Sequence, residues 1–418
     1  MIDLKFGAKQ CPIKFDHNGL EHSTRPHDIY RGLRNDAPVA WSESSGGYWV
    51  VSGHVELVEA AERPELFSSG WSIDEHGKPQ GGMFIPSEKA FVPMIPPEMD
   101  PPLWRDFRMV FAKQFSVAEV DKMKPMIAHL TTAYIDRFIE SGKCDMVLDI
   151  ASPIPADGVL LLLGLELDEW ERYAEPFHDA LGYPPGSEKF QHAMAGLENT
   201  VARIRQIIRK HRETGVGSSV MNAVLRAEIA GRPITDDEMV SVIYAMFSGG
   251  VDTTTSLLGS AFAHLSRHPT DRQFLIDDPS RIRLAIEEFM RISSPVQALG
   301  RTVVRDTVLG GQKLEAGDRV LLAWASANRD EKLFDNPDKC VMDRYPNRHV
   351  GFGVGIHRCA GAHFARAQIE IILQQVLERM PDYRIDEQHT YQYPNIGVVN
   401  GWVQMPAIFT PGPQLGAG

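Results

Sequence analysis

Cysteine is scarce: the 418 residues hold only Cys11, Cys144, Cys340 and Cys359, and no two of them form a C-x-x-C pair. That excludes a disulfide framework or a zinc knuckle and points to a reduced setting. An apolar leader is lacking too. Met1 to Gln10 mixes Asp3, Lys5 and Lys9 with few apolar residues, so neither a signal-peptide core nor a membrane anchor is expected, and a cytoplasmic location with no membrane partner follows. Basic charge is in deficit, with 43 Lys+Arg against 55 Asp+Glu and a net charge of −12. No block of like charge stands out, so the electrostatic footprint of a nucleic-acid partner is missing. Repeats of solenoid length and low-complexity linkers are absent as well. Length alone predicts two or three domains; the missing linker keeps one unit open.

What is present changes character along the chain. Residues 26–66 mix helix-like and strand-like pieces, and Gly47 to Ser52, rich in aromatic and β-branched residues, reads as a strand. From Phe67 to Asp100 periodicity fades while Gly, Pro, Met and Phe accumulate. A loop of that length is usually functional or disordered, and it is expected to be a lid. Pro101 to about Met290 is mainly helical, punctuated at Gly182–Ser187 and Gly231–Pro233. Short β-like runs follow at Arg301–Val304 and Arg319–Trp324, then a helix near 360–380 and small strands around Val398–Phe409.

Thr235-Asp236-Asp237-Glu238 is a capping box, so a helix starts there. Continued to His268-Pro269, it would hold about 32 residues and span roughly 48 Å. Ser248-Gly249-Gly250-Val251-Asp252-Thr253 interrupts it with two glycines, each costing about 1 kcal/mol against alanine. A helix end or a close helix crossing explains that as well as a widened turn where a ligand rests beside a carboxylate and a hydroxyl. Asp278-Pro279 opens a further helix in which Glu288 and Arg291 share a face. Seen alone, that pair is an ordinary surface contact.

The most specific segment is Gly351-Phe352-Gly353-Val354-Gly355-Ile356-His357-Arg358-Cys359-Ala360-Gly361, followed by an apolar helical face at Ala362, Ala365, Ile369, Ile372 and Val376. Its G-x-G-x-G spacing differs from the dinucleotide fingerprint G-x-G-x-x-G. A zinc site on His357 and Cys359 would need two further ligands, and none is evident. A buried structural cysteine remains open, but a cysteine just ahead of a helix sits where backbone amides and the dipole stabilise a thiolate.

This segment resembles the haem-ligand signature F-G-x-G-x-H-x-C-x-G of the cytochrome P450 family, matched without a gap. Gly249–Thr254 is similar to that family's distal-helix motif, and Glu288 and Arg291 with Arg344 resemble its structural triad. The resemblance implies a mainly α fold with small β-sheets, one domain over residues 1–418, and a second lid region at about 175–200. It implies haem b, with Cys359 as the iron ligand. Trp104, Arg108, Arg301, Phe352, His357 and Gly361 would help to bind the cofactor, although Trp104 stands where bacterial members commonly have histidine. Asp252 and Thr253 would deliver protons to dioxygen. Phe84, Phe91, Ala245, Met246, Gly249, Val296, Val398 and Val399 would face a hydrophobic substrate, whether terpenoid, aromatic or steroid-like. The activity implied is insertion of one oxygen atom of O2 into a C–H bond. No stretch is left over for a flavin or iron–sulfur module, so a separate ferredoxin and NAD(P)H-dependent ferredoxin reductase are expected partners. Related haem-thiolate outcomes (coupling, dehydrogenation, nitration) and a haem-binding sensor or recruitment module are the alternatives.

Overall fold

A computed structural model describes residues 12–87, 92–167, 170–215 and 217–416. Phe91 therefore lies outside the described residues. Among those described, a six-stranded sheet is built from β1 (Pro12–Ile13), β2 (Val39–Ser42), β3 (Tyr48–Val51), β4 (Phe67–Ser68), β5 (Leu299–Val303) and β6 (Arg319–Leu322), in the order β1-β2-β3-β6-β5-β4. The aromatic and β-branched run at 48–51 is fully buried, as its composition demands, with Trp49 opposite Trp41 on one side and Val320 on the other. The rest is mostly helical. The expected lid carries some regular structure: after β4, Trp71–Ile73 pairs with Pro79–Gly81 as a hairpin.

Eight helices set up the interior: α1 (Leu103–Ala112), α2 (Pro153–Leu163), α3 (Trp170–Gly182), α4 (Glu188–Thr214), α5 (Asp236–Gly250), α6 (Asp252–Arg267), α7 (Ile282–Ser293) and α8 (Ala362–Arg379). The second lid region, 175–200, is thus the end of α3, a turn and the start of α4. Ser187 caps α4 by accepting the Phe190 N–H at 3.2 Å. The capping box at the head of α5 is complete: Thr235 Oγ1 accepts the Glu238 N–H at 3.2 Å, and Glu238 accepts the Thr235 N–H at 2.8 Å.

The single long helix expected from Thr235 to His268 is two helices joined at Val251 (φ −84°, ψ −68°). The two glycines account for the break in different ways. A Cβ on Gly250 would meet the Val159 methyl of α2 at 2.7 Å, whereas one on Gly249 would meet nothing within 4 Å. Gly250 thus permits a close helix crossing and closes α5, so the helix-end and crossing explanations hold together, while Gly249 leaves open space beside it.

Two apolar clusters flank that junction. One joins α6, α7 and α8 through Phe262, Phe289 and Ile372. The other joins α2 to α5 through Leu160, Phe177, Ile204 and Phe247, where Tyr173 stacks on Phe247 with centroids 4.6 Å apart. Each fully buried phenylalanine contributes about 2 kcal/mol. Among the described residues one helical run, Met146–Leu163, is apolar enough to cross a membrane by length and composition (mean hydropathy 1.7), and most of it is buried in this core.

Candidate active site

The segment before α8 is shaped by its glycines. Gly353 and Gly355 have φ of +69° and +68°, and a Cβ on Gly355 would strike the Ala61 carbonyl at 2.6 Å. The turn closes when the Cys359 N–H donates to the Phe352 carbonyl at 2.8 Å, and the Arg366 guanidinium covers the Phe352 ring at 4.3 Å. Cys359 is left just ahead of α8, and its free surface faces an internal cavity. Burial pushes the thiol up, against the pull of the Gly361 N–H, Arg108, Arg366 and Arg358. A cationic metal at the sulfur would add decisively to that pull.

The cavity has a volume of about 340 Å³, within the usual range for ligand sites. Cys359, Phe352, Gly361, Trp104, Arg108, Arg301, His357 and Thr253 all line it, as do Phe84, Ala245, Met246, Gly249, Val296, Val398 and Val399. The sequence reading scattered these over 300 residues, and the fold gathers them. Asp252 is the exception among the described residues, buried beside the cavity and not in its wall.

Arg108 and Arg301 reach the cavity without an ion-pair partner among the described residues. Burial lowers both, Arg301 to about 10 with Asp100 opposing. His357 is pushed down to about 3 by burial and by the two guanidiniums. Its Nε2 meets Ser69 Oγ at 3.0 Å, and its Nδ1 is buried without a partner among the described residues. Trp104 packs edge-on to the His357 ring, with centroids 6.0 Å apart. Unpaired cations in an apolar chamber are costly unless an anion joins them. A Cβ on Gly361 would meet only a Phe115 ring carbon at 3.9 Å, which leaves room for a flat group. An apolar, dianionic, planar molecule carrying a thiolate-binding metal fits this set. Haem b is such a molecule, and Cys359, Arg108, Arg301, His357 and Trp104 are the residues that could hold it. The zinc alternative finds no support, since no group of three His, Cys, Asp or Glu residues able to hold an ion occurs among the described residues.

On the α5–α6 wall, Thr253 Oγ1 donates to the Gly249 carbonyl at 2.8 Å. Its neighbour turns the other way. Asp252 Oδ1 accepts from the Tyr393 hydroxyl at 2.6 Å and contacts His178 Nδ1 on α3.

Glu288, Arg291 and Arg344 lie away from the cavity as a buried cluster. Arg291 grips both Glu288 oxygens at 2.8 Å and also donates to the carbonyls of Asn328, Pro337 and Lys339 at 2.7–3.0 Å. Arg344 adds Nε contacts to Glu288 at 3.0 and 3.1 Å, and the Val341 N–H one at 2.8 Å. Burial pushes the Glu288 carboxyl up, yet these partners, Arg291 first, hold it below the usual carboxylate range. The cluster pins the chain that leads to Gly351. Arg291→Ala strands a buried carboxylate and should cost about 3–5 kcal/mol. A denaturant titration checks this; an unchanged midpoint would contradict the scaffold role.

Some site residues carried no local signal. Asp100 accepts the Ser69 N–H at 3.1 Å and contacts Ser68 Oγ, which holds Ser69 against His357. Glu98 accepts the N–H groups of Met83 and Met94 at 3.1 and 3.0 Å, while Arg319 donates to the carbonyls of Gly82 and Phe84 at 2.8 and 2.9 Å. These contacts hold the lid against the cavity at residues 82–84.

Comparison with known proteins adds a second line of support. The family model described as Cytochrome P450 matches residues 282–394. Linalool 8-monooxygenase from Pseudomonas putida is 30% identical over 367 residues, covering 86% of this chain and 90% of that protein. Steroid C26-monooxygenase from Mycolicibacterium smegmatis is 30% identical over 389 residues, covering 92% of each. Among solved structures, a Mycobacterium marinum cytochrome P450 in complex with pseudoionone superposes with a TM-score of 0.82 at 25% identity, covering 93% of this chain and 95% of that one. A Bacillus megaterium relative in complex with testosterone gives 0.81 at 26% identity, with coverage of 94% and 100%.

Proposed function

The chain belongs to the cytochrome P450 family and is a haem-dependent monooxygenase of hydrophobic substrates, and we propose that it inserts one oxygen atom of O2 into a C–H bond of a small or medium terpenoid, aromatic or steroid-like molecule. Electrons would come from a separate ferredoxin and its NAD(P)H-dependent reductase, in the cytoplasm, to one oxygenase domain spanning residues 1–418. The observation that carries the reading is the convergence of Cys359, two arginines without an ion-pair partner among the described residues, His357 and an apolar wall on one cavity.

When bound through a cysteine thiolate, haem supplies dioxygen activation, which no protein side chain provides. The chain's own residues do the rest. Arg108, Arg301 and His357, with Trp104, would bind the two propionates, replacing water around charges that are otherwise stranded. The Cys359 backbone bond to Phe352 and the Gly361 N–H would keep the sulfur in place and ionised. Thr253 commits its one hydroxyl proton to the Gly249 carbonyl, so its lone pairs are left to accept a hydrogen bond in the cavity. Asp252, next in chain, would pass protons inward. Ala245, Met246, Val296, Val398 and Val399 would orient the substrate by shape and exclude water, and Phe84 would close the lid side.

Linalool and testosterone, the molecules named with two relatives, are suitable probes. Titrating either into the haem-loaded protein should convert the absorption from low-spin to high-spin for at least one of them. A protein that ignores both and responds instead to large charged ligands would contradict the apolar-pocket reading.

A further inference from the structure

We propose that His17, His22 and His27 form an acid-sensitive latch: while neutral they hold the N-terminal segment against the lid at Ile85, and their protonation frees the lid from the cavity without disturbing the cysteine turn. The latch deepens the oxygenase reading above, on which only its effect on substrate rests.

The three rings recur every five residues, from the loop after β1 through the helices Leu20–Thr24 and Pro26–Asp36. His17 and His22 are each 1% exposed. His22 stands edge-on to Phe15 and Tyr30, with centroids 5.5 and 5.1 Å away, and neither of its ring nitrogens has a partner among the described residues. His27 Nδ1 is likewise buried without one. A neutral ring tolerates such a place, whereas an imidazolium brings a charge and a second N–H donor with nothing to accept it. Burial is the main cause that pushes His17 and His22 down to about 4 and His27 to about 3. The Asp16 carboxylate and the Ile85 carbonyl oppose it at His17. At His22 the His17 ring adds to it, while the His17 backbone and Asp16 oppose it. At His27 the Arg329 and Arg34 guanidiniums and His22 add to it, and Asp338 opposes it.

This segment is fastened to two walls of the cavity. Phe15 and Tyr30 share an apolar cluster with Ile85. Asn18 Nδ2 donates to the Ile85 carbonyl at 3.3 Å and to His17 Nε2 at 3.1 Å, and Asn18 Oδ1 accepts from Asn395 Nδ2 at 3.3 Å. An amide nitrogen only donates, so Nε2 holds the lone pair and Nδ1 gives its hydrogen to the Tyr48 hydroxyl at 3.0 Å. A proton arriving on Nε2 meets the Asn18 amide hydrogens and breaks that tie. Phe84, beside Ile85, and Val398, beside Gly397, line the cavity, and a Cβ on Gly397 would come within 2.4 Å of Asn18 Oδ1.

Other buried histidines are placed differently. His264 and His349 each meet a carboxylate that would welcome a proton, Asp271 at 2.7 Å and Glu287 at 2.9 Å. His54 Nε2 lacks a partner too, but that ring stands alone, near Asp330 and Glu56. At His17, His22 and His27 the folded values lie below the ordinary 6.5, so the unlatched state binds more protons. The latch is therefore fully held above about pH 6.5 and loosens by up to about tenfold per pH unit for each ring as the pH falls towards 4.

Amide hydrogen exchange of the haem-loaded protein at pH 7 and pH 5, corrected for intrinsic rates, tests this. Protection at pH 5 should fall at least about tenfold over residues 15–36 and 82–87 and stay within about twofold in α6 to α8; a uniform loss, or none, overturns the latch. His22→Leu keeps an apolar side chain between Phe15 and Tyr30 and removes one titrating ring, so the onset of exchange should move down by about half a pH unit or more. His27→Leu should act in the same direction, which covers a His22→Leu chain that fails to fold; an onset unmoved in the folded variants overturns the proposal. The thiolate band of the reduced, carbon monoxide-bound protein separates the failures. Its absence at pH 7 counts against the oxygenase reading, while exchange still decides the latch. Its loss at pH 5 together with lid protection overturns the latch, because the cysteine turn then gave way as well.

Discussion

Cys359→Ala should give a folded protein that can still take up haem, but whose reduced, carbon monoxide-bound form lacks the strongly red-shifted thiolate band and whose oxygenase turnover falls to background. The fold should survive because the Cys359 side chain turns to the cavity and the turn is closed by its backbone N–H on the Phe352 carbonyl, a bond alanine keeps. The pocket formed by the Arg108 and Arg301 cations and the His357 ring is also intact, so the propionates would retain their partners. What disappears is the sulfur donor and the electron density it lends the metal. Absorption spectroscopy reads this directly, and survival of the red-shifted band in the variant would mean that another residue is the ligand.

Thr253→Ala should leave haem binding and reduction unchanged while diverting electrons from product to hydrogen peroxide. The hydroxyl is one of few polar groups on an otherwise apolar wall of α5 and α6, and its bond to the Gly249 carbonyl sets the direction of its lone pairs. Without it, proton delivery is no longer directed, and positioned proton transfer is commonly worth 10²–10⁴-fold. Peroxide formed per NAD(P)H consumed is the measurement. Unchanged coupling would count against Thr253 as the proton-delivering hydroxyl.

The parts of the site that could be read from sequence are those whose geometry is local. From Gly351 to Gly361 the residues that shape the cysteine turn are neighbours in the chain, and Glu288 and Arg291 are one helical turn apart, so spacing alone exposes them. The helix break was half visible: the glycine pair marks it, but the Val159 methyl that requires Gly250 belongs to a different helix. His178 and Tyr393 were not legible, since they meet Asp252 across 74 and 141 residues and sit in segments with no motif. The same holds for Ser69 against His357, 288 residues apart, and for the Glu98 and Arg319 contacts that hold the lid. Pairings of this kind are decided by how helices and sheet pack, and no periodicity carries that information. The orientation of Asp252 is the clearest instance. Its place beside Thr253 suggested that both face the ligand, whereas the helical advance of about 100° per residue turns it towards α3.

The central claim is a bond from the Cys359 sulfur to haem iron, and the absorption spectrum of the wild-type protein tests it most directly. Expressed with ample porphyrin, reduced and exposed to carbon monoxide, the protein should show the strongly red-shifted band of a thiolate-ligated haem. A folded, colourless protein indifferent to added hemin, or a haem protein with the spectrum of nitrogen ligation, would contradict it.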